Sequence, residues 1–393
     1  MIAKPLNEVK IADLQALLGN VREGKMIEFK REMPARTPDE KIKFLAAVSS
    51  LANTAGGDLM VGIEAVDGLA QVISGIEFSN IDAEKLRLEQ LLATLIEPRL
   101  PRVDMEAVDA GGNRYVMLVR VPRSWIGPHR VVPNDKFYGR NSGGKYPLDV
   151  GELRTAFVLS ETAAERIRAF RSDRLIKIAA GDTPVPMHPG ARMAIHAVPV
   201  STFAAARTLD IVQEMGRGHV MPIPPGRMGH PNEYRPNLDG LVIFTNPGAG
   251  QLAGGYAQVF RSGAVEGVDV LHIDDQTDAP YLLGMTFEST AVSAIENYVT
   301  FVKSLGLGYP IVIFVSFCGM AGCHLRTPTE IGVGYYNAGP LTQDVIPLPE
   351  INLESDTQDV SDMLRPVFNQ VWNAFGFMGS TKYDQNGKWI GRV

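Results

Sequence analysis

The chain lacks most of the features that usually point to a function. Of 393 residues only 2 are cysteine, 3 tryptophan and 7 histidine. Two cysteines cannot build a disulfide framework. Cys318 and Cys323, even with His324 beside them, show no fourth ligand at zinc-site spacing. They read instead as buried thiols next to the apolar run 311–317. No run of eighteen apolar residues exists, and no basic stretch followed by an apolar one opens the chain. Neither a membrane span nor a secretory leader is therefore expected, and a cytoplasmic protein is. The glycine-rich stretch 248–255 lacks the Lys-Ser/Thr of a phosphate-binding P-loop and reads as a turn. No internal repeat is visible.

What is present is ample apolar content, 45% of the chain, over a length that favours two domains. Charge is unevenly shared. Residues 1–175 hold 25 basic and 24 acidic residues, which leaves 13 and 20 for the rest. A near-neutral first part with a clustered acidic site must carry basic patches elsewhere. Arg99, Arg102, Arg114, Arg120, Arg123, His129, Arg130, Lys136, Arg140 and Lys145 supply them, in a β-rich segment able to track a phosphate backbone. Singly, each also fits an ordinary solvated strand face. Trp125, Tyr138 and Tyr146 are candidates for stacking on bases or for plain packing.

The acidic site is the stretch Glu23-Gly-Lys-Met-Ile-Glu28-Phe-Lys30. Strand alternation puts Glu28 and Lys30 on one face, with Glu23 at the strand's start. An acid and a lysine so placed suit phosphodiester hydrolysis: the acid can hold a divalent metal and the ammonium can stabilise phosphate charge. A salt-bridged surface strand is the plainer reading. Thr37 as N-cap, Pro38 at the first helical position and Glu40 three residues on predict a helix start. Ile42, Leu45, Val48 and Leu51 or Ala52 continue it, and Gly56-Gly57 ends it. Residues Leu59 to Ile63 then predict a buried strand with Glu64 and Asp67 at its far end. A helix returning beside its own strand could bring either acid near Glu28.

Three ordered runs, EGKMIEFKRE, FLAAVSSLANTAGGDLMVGIE and KFYGRNSGGKYPLDVGEL, closely resemble the Schlafen-type AlbA-like domain of prokaryotes, over about residues 15–158. The resemblance implies metal-binding acids at Glu23, Glu28 and an acid just past the second strand. That third place departs from the family pattern, with Glu64, Ala65, Val66 and Asp67 where an aspartate pair often stands. It further implies Mg²⁺ or Mn²⁺ on Glu23, Glu28 and Glu64 (or Asp67), with Lys30 assisting. Transfer RNA is the implied substrate and defence against phage the implied setting. Other members of the family carry only a DNA- or ATP-binding label.

The expected fold is α+β: an AlbA-like mixed domain over 1–158, a basic linker helix over 159–184, and a second α+β domain over 185–393. Arg166, Arg168, Arg171 and Arg174 give the linker helix, read from Ser160 to Ala180, either a nucleic-acid face or a solvated one. In the last part, Arg192 to Val200, Gly240 to Thr245, Tyr256 to Arg261 and Pro310 to Ser316 predict strands. Residues Phe287 to Ser304 and 355–375 predict helices. HAVPV, NLDGL, VFRSGAVE and LRPVFNQVWNAFG resemble the region that often follows such a domain, without transferable catalytic residues. His196 and His272 read as core or edge histidines, and the aromatic helical faces suit a homo-oligomer, such as a dimer. The expected activity is thus metal-dependent RNA cleavage by Glu23, Glu28, Lys30 and Glu64 or Asp67, with Arg99, Arg102, Arg120, Arg123, Arg130, Lys136, Arg140 and Lys145 gripping the RNA. The alternatives are a nucleic-acid-binding regulator without chemistry, and nucleotide binding at the turn Asn53 to Gly57.

Overall fold

From its N-terminus the chain runs through a short helix α1 (Ile11–Gln15), strand β1 (Ile27–Lys30), helix α2 (Pro38–Ala52) and strand β2 (Gly57–Val61). The computed structural model describes residues 2, 4–205, 208–226, 232–245, 252–273, 279–284, 286–328, 335–354 and 358–391. They form two units, dividing between Thr162 and Ala163. In the first, β1 and β2 lie parallel and adjacent, so α2 is the crossover between them. Its start is the one the sequence predicts: Thr37 Oγ1 accepts the Glu40 N–H and Pro38 stands at N1. Such a cap contributes about 1 kcal/mol. Gly57 is required where β2 meets β1, because a Cβ there would lie 2.4 Å from the Met26 carbonyl oxygen.

The run expected as one strand from Leu59 to Ile63 is cut at Gly62, which sits at φ +104°. Gly62 N–H donates to Lys30 O while Gly62 O accepts from Gly75, so the chain leaves the sheet there. It folds into a separate hairpin of β3 (Ile63–Val66) and β4 (Leu69–Ile73). Next come α3 (Ile81–Leu95), β5 (Ile96–Glu97), β6 (Asp104–Gly111) and β7 (Arg114–Val121), giving a main sheet ordered β1-β2-β7-β6. Side chains alternate across it. Leu59, Val61, Met117 and Val119 pack toward Leu45 and Leu51 of α2 and Leu88 of α3, while Phe29, Met60, Val116 and Leu118 pack with Val9 and Leu14. β8 (Arg130–Val131), β9 (Lys136–Asn141) and β10 (Gly144–Pro147) add a second sheet ordered β10-β9-β8-β5.

Helix α4 spans Val150–Ala180, beginning ten residues before the predicted start. The missed signal is a capping box: Asp149 Oδ1 accepts the Glu152 N–H at 2.8 Å, and Glu152 Oε2 accepts the Asp149 N–H at 3.0 Å.

The second unit comprises β11 (Arg192–Pro199), α5 (Val200–Ala205), α6 (Ile211–Met215), β12 (Asn232–Asn237), β13 (Gly240–Thr245), β14 (Gly255–Phe260), β15 (Val265–Val270), β16 (His272–Ile273) and β17 (Pro280–Leu283). These are followed by α7 (Phe287–Ser304), β18 (Ile311–Cys318), β19 (His324–Pro328), β20 (Tyr335–Ala338), β21 (Val345–Pro347), β22 (Ile351–Leu353) and α8 (Val360–Ala374). The large antiparallel sheet is ordered β12-β13-β14-β15-β11-β18-β21, with β22 also on β18. α7 and α8 bury Ile295, Tyr298, Phe301, Phe368 and Trp372 in its principal core. Those aromatic faces were expected at an interface between copies; they are used up inside the unit. Of the glycine-rich stretch, residues 248–251 lie outside the described residues, as do 355–357 of the last predicted helix, which starts at Val360 behind the N-cap Asp359.

The arginines of α4 correct another expectation. Arg174 is buried against Glu266 at 2.8 and 2.9 Å, and Arg171 donates to Ser316 Oγ and Leu348 O. Arg168 pairs with Glu350 and Arg166 donates to Phe203 O. All four are engaged by acceptors of their own unit; Arg171 and Arg174 turn inward, while Arg166 and Arg168 remain exposed as the solvated reading expected. Both cysteines are buried free thiols, pushed up by burial to about 11 and about 12. His196 lies buried beside Glu266, and His272 is exposed and stacks on Tyr281.

Candidate functional site

Glu28 is the centre of the site. It sits in β1, the outermost strand of the main sheet, on the face that α2 covers, and only 3% of its surface is exposed. A buried carboxylate needs partners, and Glu28 has three cations. Arg140 hydrogen-bonds Oε2, while Lys30 Nζ lies 2.7 Å and Lys145 Nζ 3.2 Å from Oε1. Burial pushes the Glu28 carboxyl up, but Lys145, Lys30 and Arg140 outweigh it and hold the group down at about 2.

The hairpin of β9 and β10 delivers two of these cations. Arg140 and Lys145 are directly opposed across it, so both side chains leave the same face. Arg140 does more than pair with Glu28. Its guanidinium donates to Gly24 O and Ile27 O, covering carbonyls at the open edge of β1. The Asn53–Gly57 turn places that hairpin. Asn53 Nδ2 donates to His129 O and Tyr138 O, its Oδ1 accepts the His129 N–H at 2.7 Å, and Thr54 Oγ1 accepts the Arg140 N–H. The turn proposed as a nucleotide site is instead the strut that holds Arg140.

The other expected acids go elsewhere. Glu23 Oε1 accepts the Phe29 N–H at 2.8 Å, closing the loop before β1. Glu64, carried off on β3 by the turn at Gly62, has Arg31 as its nearest cation at 3.5 Å. Asp67 is exposed in the left-handed β3–β4 turn, where its carbonyl accepts from Arg22. Among the described residues no three His, Cys, Asp or Glu side chains gather as a group able to hold a metal. Glu28 has both oxygens committed to cations. These acids therefore do not fit the Mg²⁺ or Mn²⁺ expected on them.

The expected basic surface is also divided. Arg120 is locked onto Asp58 at 2.8 Å and onto the carbonyls of Ile2 and Lys4, a structural clamp on the N-terminal segment that the sequence reading missed. Arg102 pairs with Asp104, and Arg130 bridges Glu97 and Asp135. Arg123 stacks on Trp125 at 3.9 Å. Arg99 and Lys136 are exposed. Tyr138 packs against the α2 side of the core and its OH accepts from Asn134, while Tyr146 OH donates to Glu152. Lys30 and Lys145 differ from the rest: they reach Glu28 yet remain 44% and 26% exposed, and both line a cavity of about 270 Å³. It opens where β1 and β2 end, beside the first turns of α2.

Residues 23–149 match the Schlafen AlbA_2 family. The chain carries a Schlafen/AlbA_2-type domain. No curated protein matches it. Among solved structures, the DIP2311 protein from Corynebacterium diphtheriae is 23% identical over 35% of this chain and 30% of that one, with a TM-score of 0.25. The N-terminal domain of an ATP-dependent DNA helicase RecG-related protein from Nitrosomonas europaea is 22% identical over 29% of this chain and 74% of that one, with a TM-score of 0.23. Likenesses so partial say nothing of this chain's activity. The AlbA_2 domain itself points to nucleic acid as the partner. Among the described residues no helix is long and apolar enough to cross a membrane.

Proposed function

We propose that the AlbA_2 unit binds nucleic acid by seating a backbone phosphate against Lys30 and Lys145. The observation that carries this reading is the charge imbalance around Glu28: one buried carboxylate faces three cations, two of which reach solvent at a cavity. A phosphate brought there gains two ammonium partners already held in place. Structured RNA, tRNA included, is the partner to test first, because such RNA is held through backbone and shape more than through base edges.

Cleavage is the weaker reading. A carboxylate held near 2 and paired with three cations is a poor proton acceptor at neutral pH, and among the described residues no three acids gather as a group able to hold a metal. The test is an anisotropy titration of the full chain with labelled tRNA and duplex DNA at rising salt. Replacing Lys30 and Lys145 together by alanine is expected to weaken binding at least tenfold and to flatten the salt dependence by about one phosphate contact. Equal affinity and equal slope in variant and wild type would overturn the proposal.

A further inference from the structure

The same cavity has a second character that a phosphate seat alone does not need. Behind the two lysines its lining is apolar: Phe44, Ala47, Leu59 and Val61, all buried in the sheet–helix core, with Pro34 beside them. Two carboxylates also line it, Glu32 and Glu40. Glu40 is paired with Lys43 at 2.7 Å, and Glu32 is largely exposed. The lining thus carries Lys30, Lys43 and Lys145 against Glu32 and Glu40, and with Lys43 taken up by Glu40 the ammonium groups facing the apolar hollow are those of Lys30 and Lys145.

A backbone phosphate on a duplex surface would leave that hollow unused. About 270 Å³ lies just below the usual range of small-ligand pockets, roughly 300 to 1,000 Å³. That is room for a single nucleotide unit and too little for a base pair. An aromatic base is the part of a nucleic acid that gains from apolar walls, and it sits one sugar away from its own phosphate. We infer that the cavity takes one unpaired nucleotide, its base among Phe44, Leu59 and Val61 and its phosphate on Lys30 and Lys145. This rests on the phosphate-seat reading above and narrows it: the protein would engage nucleic acid at unstacked positions such as loops and ends, where extruding a base costs least.

Calorimetry on the unmodified full chain tests this with AMP and CMP against ribose 5-phosphate and inorganic phosphate. At least tenfold tighter binding of the nucleotides than of ribose 5-phosphate, lost in the Lys30→Ala/Lys145→Ala variant, is the expected result. Equal affinity for nucleotide and ribose 5-phosphate, both lysine-dependent, would overturn the base pocket and leave the phosphate seat standing. No lysine-dependent binding of any of the four, together with unchanged tRNA affinity in the variant, would overturn both. A second arm compares an unpaired tetranucleotide with the same sequence in a duplex. Preference for the single strand supports the inference, and preference for the duplex contradicts it.

Discussion

Two buried carboxylates, one in each unit, solve the same problem with opposite consequences. Glu266 in β15 is fully buried, clasped by Arg174 and by Tyr256 OH at 2.7 Å, with His196 Nε2 at 3.0 Å. All its partners are buried as well. Glu28 in β1 shares the device of a buried carboxylate held by a buried arginine, and both acids are held at about 2 against the push of burial. The difference lies in where the remaining partners end. Around Glu266 the network is closed and can only fasten α4 to the sheet. Around Glu28 two ammonium groups extend past the carboxylate to a cavity. A buried acid thus becomes part of a binding site when its partners keep charge to spare at the surface.

The largest expected effect breaks the closed network. Glu266→Ala leaves Arg174 buried and unpaired, which costs about 3–5 kcal/mol. It should appear as a lower denaturant midpoint for the transition of the C-terminal unit, and a midpoint unchanged from wild type would contradict the reading.

Glu28→Gln should cost less, about 2 kcal/mol, because Arg140 keeps its bonds to Gly24 O and Ile27 O and the lysines can turn to water. Its transition should move less than that of Glu266→Ala.

The two acids should also share a pH signature. Both are depressed from 4.5 to about 2 on folding, so their stabilisation is fully present above pH 4.5 and is lost as pH falls through about 2. The gap in stability between wild type and Glu28→Gln, read by denaturation at pH 7 and at pH 3, should shrink at the lower value. A third buried carboxylate sharpens the contrast. Glu288 accepts hydrogen bonds from Trp372 and Ser380, and burial raises its pKa despite them and Lys382. Its ionised form is disfavoured in the fold, so its contribution weakens as pH rises through that raised value. Glu288→Gln at pH 7 is therefore expected to shift stability by less than about 1 kcal/mol, or to raise it.

The smallest effect on stability, and the largest on function, belongs to the open lysines. Lys30→Ala or Lys145→Ala alone should change folding by less than about 1 kcal/mol, as for partly exposed ion pairs. Each should still weaken tRNA binding, and the two together should reduce the salt slope by about one.

What the sequence disclosed follows from which signals are local. The α2 start was readable because Thr37, Pro38 and Glu40 act within one turn, and α7 appears over the predicted Phe287–Ser304. Strand alternation likewise put Glu28 and Lys30 together. The fate of Glu64 was not readable: whether the chain continues or turns at Gly62 depends on hydrogen bonds to Lys30 and Gly75, neither of which is a neighbour in sequence. Arg140 and Lys145 were named among many basic residues, yet their shared target was hidden. The hint was their spacing about Asn141-Ser-Gly-Gly144, where a two-residue loop makes them an opposed pair. The Asn53 turn carried a family motif whose purpose, bracing residues 129 and 138, appears only across the fold.

The central claim is that Glu28 organises cations for binding and does not share a metal for cutting. The measurement that tests it most directly is incubation of the full chain with total tRNA and Mn²⁺, with bound and intact RNA read on parallel native and denaturing gels. The expected result is shifted but uncut tRNA with wild type, and a weaker shift with Lys30→Ala/Lys145→Ala. TRNA cut by wild type and spared by Glu28→Gln would contradict it.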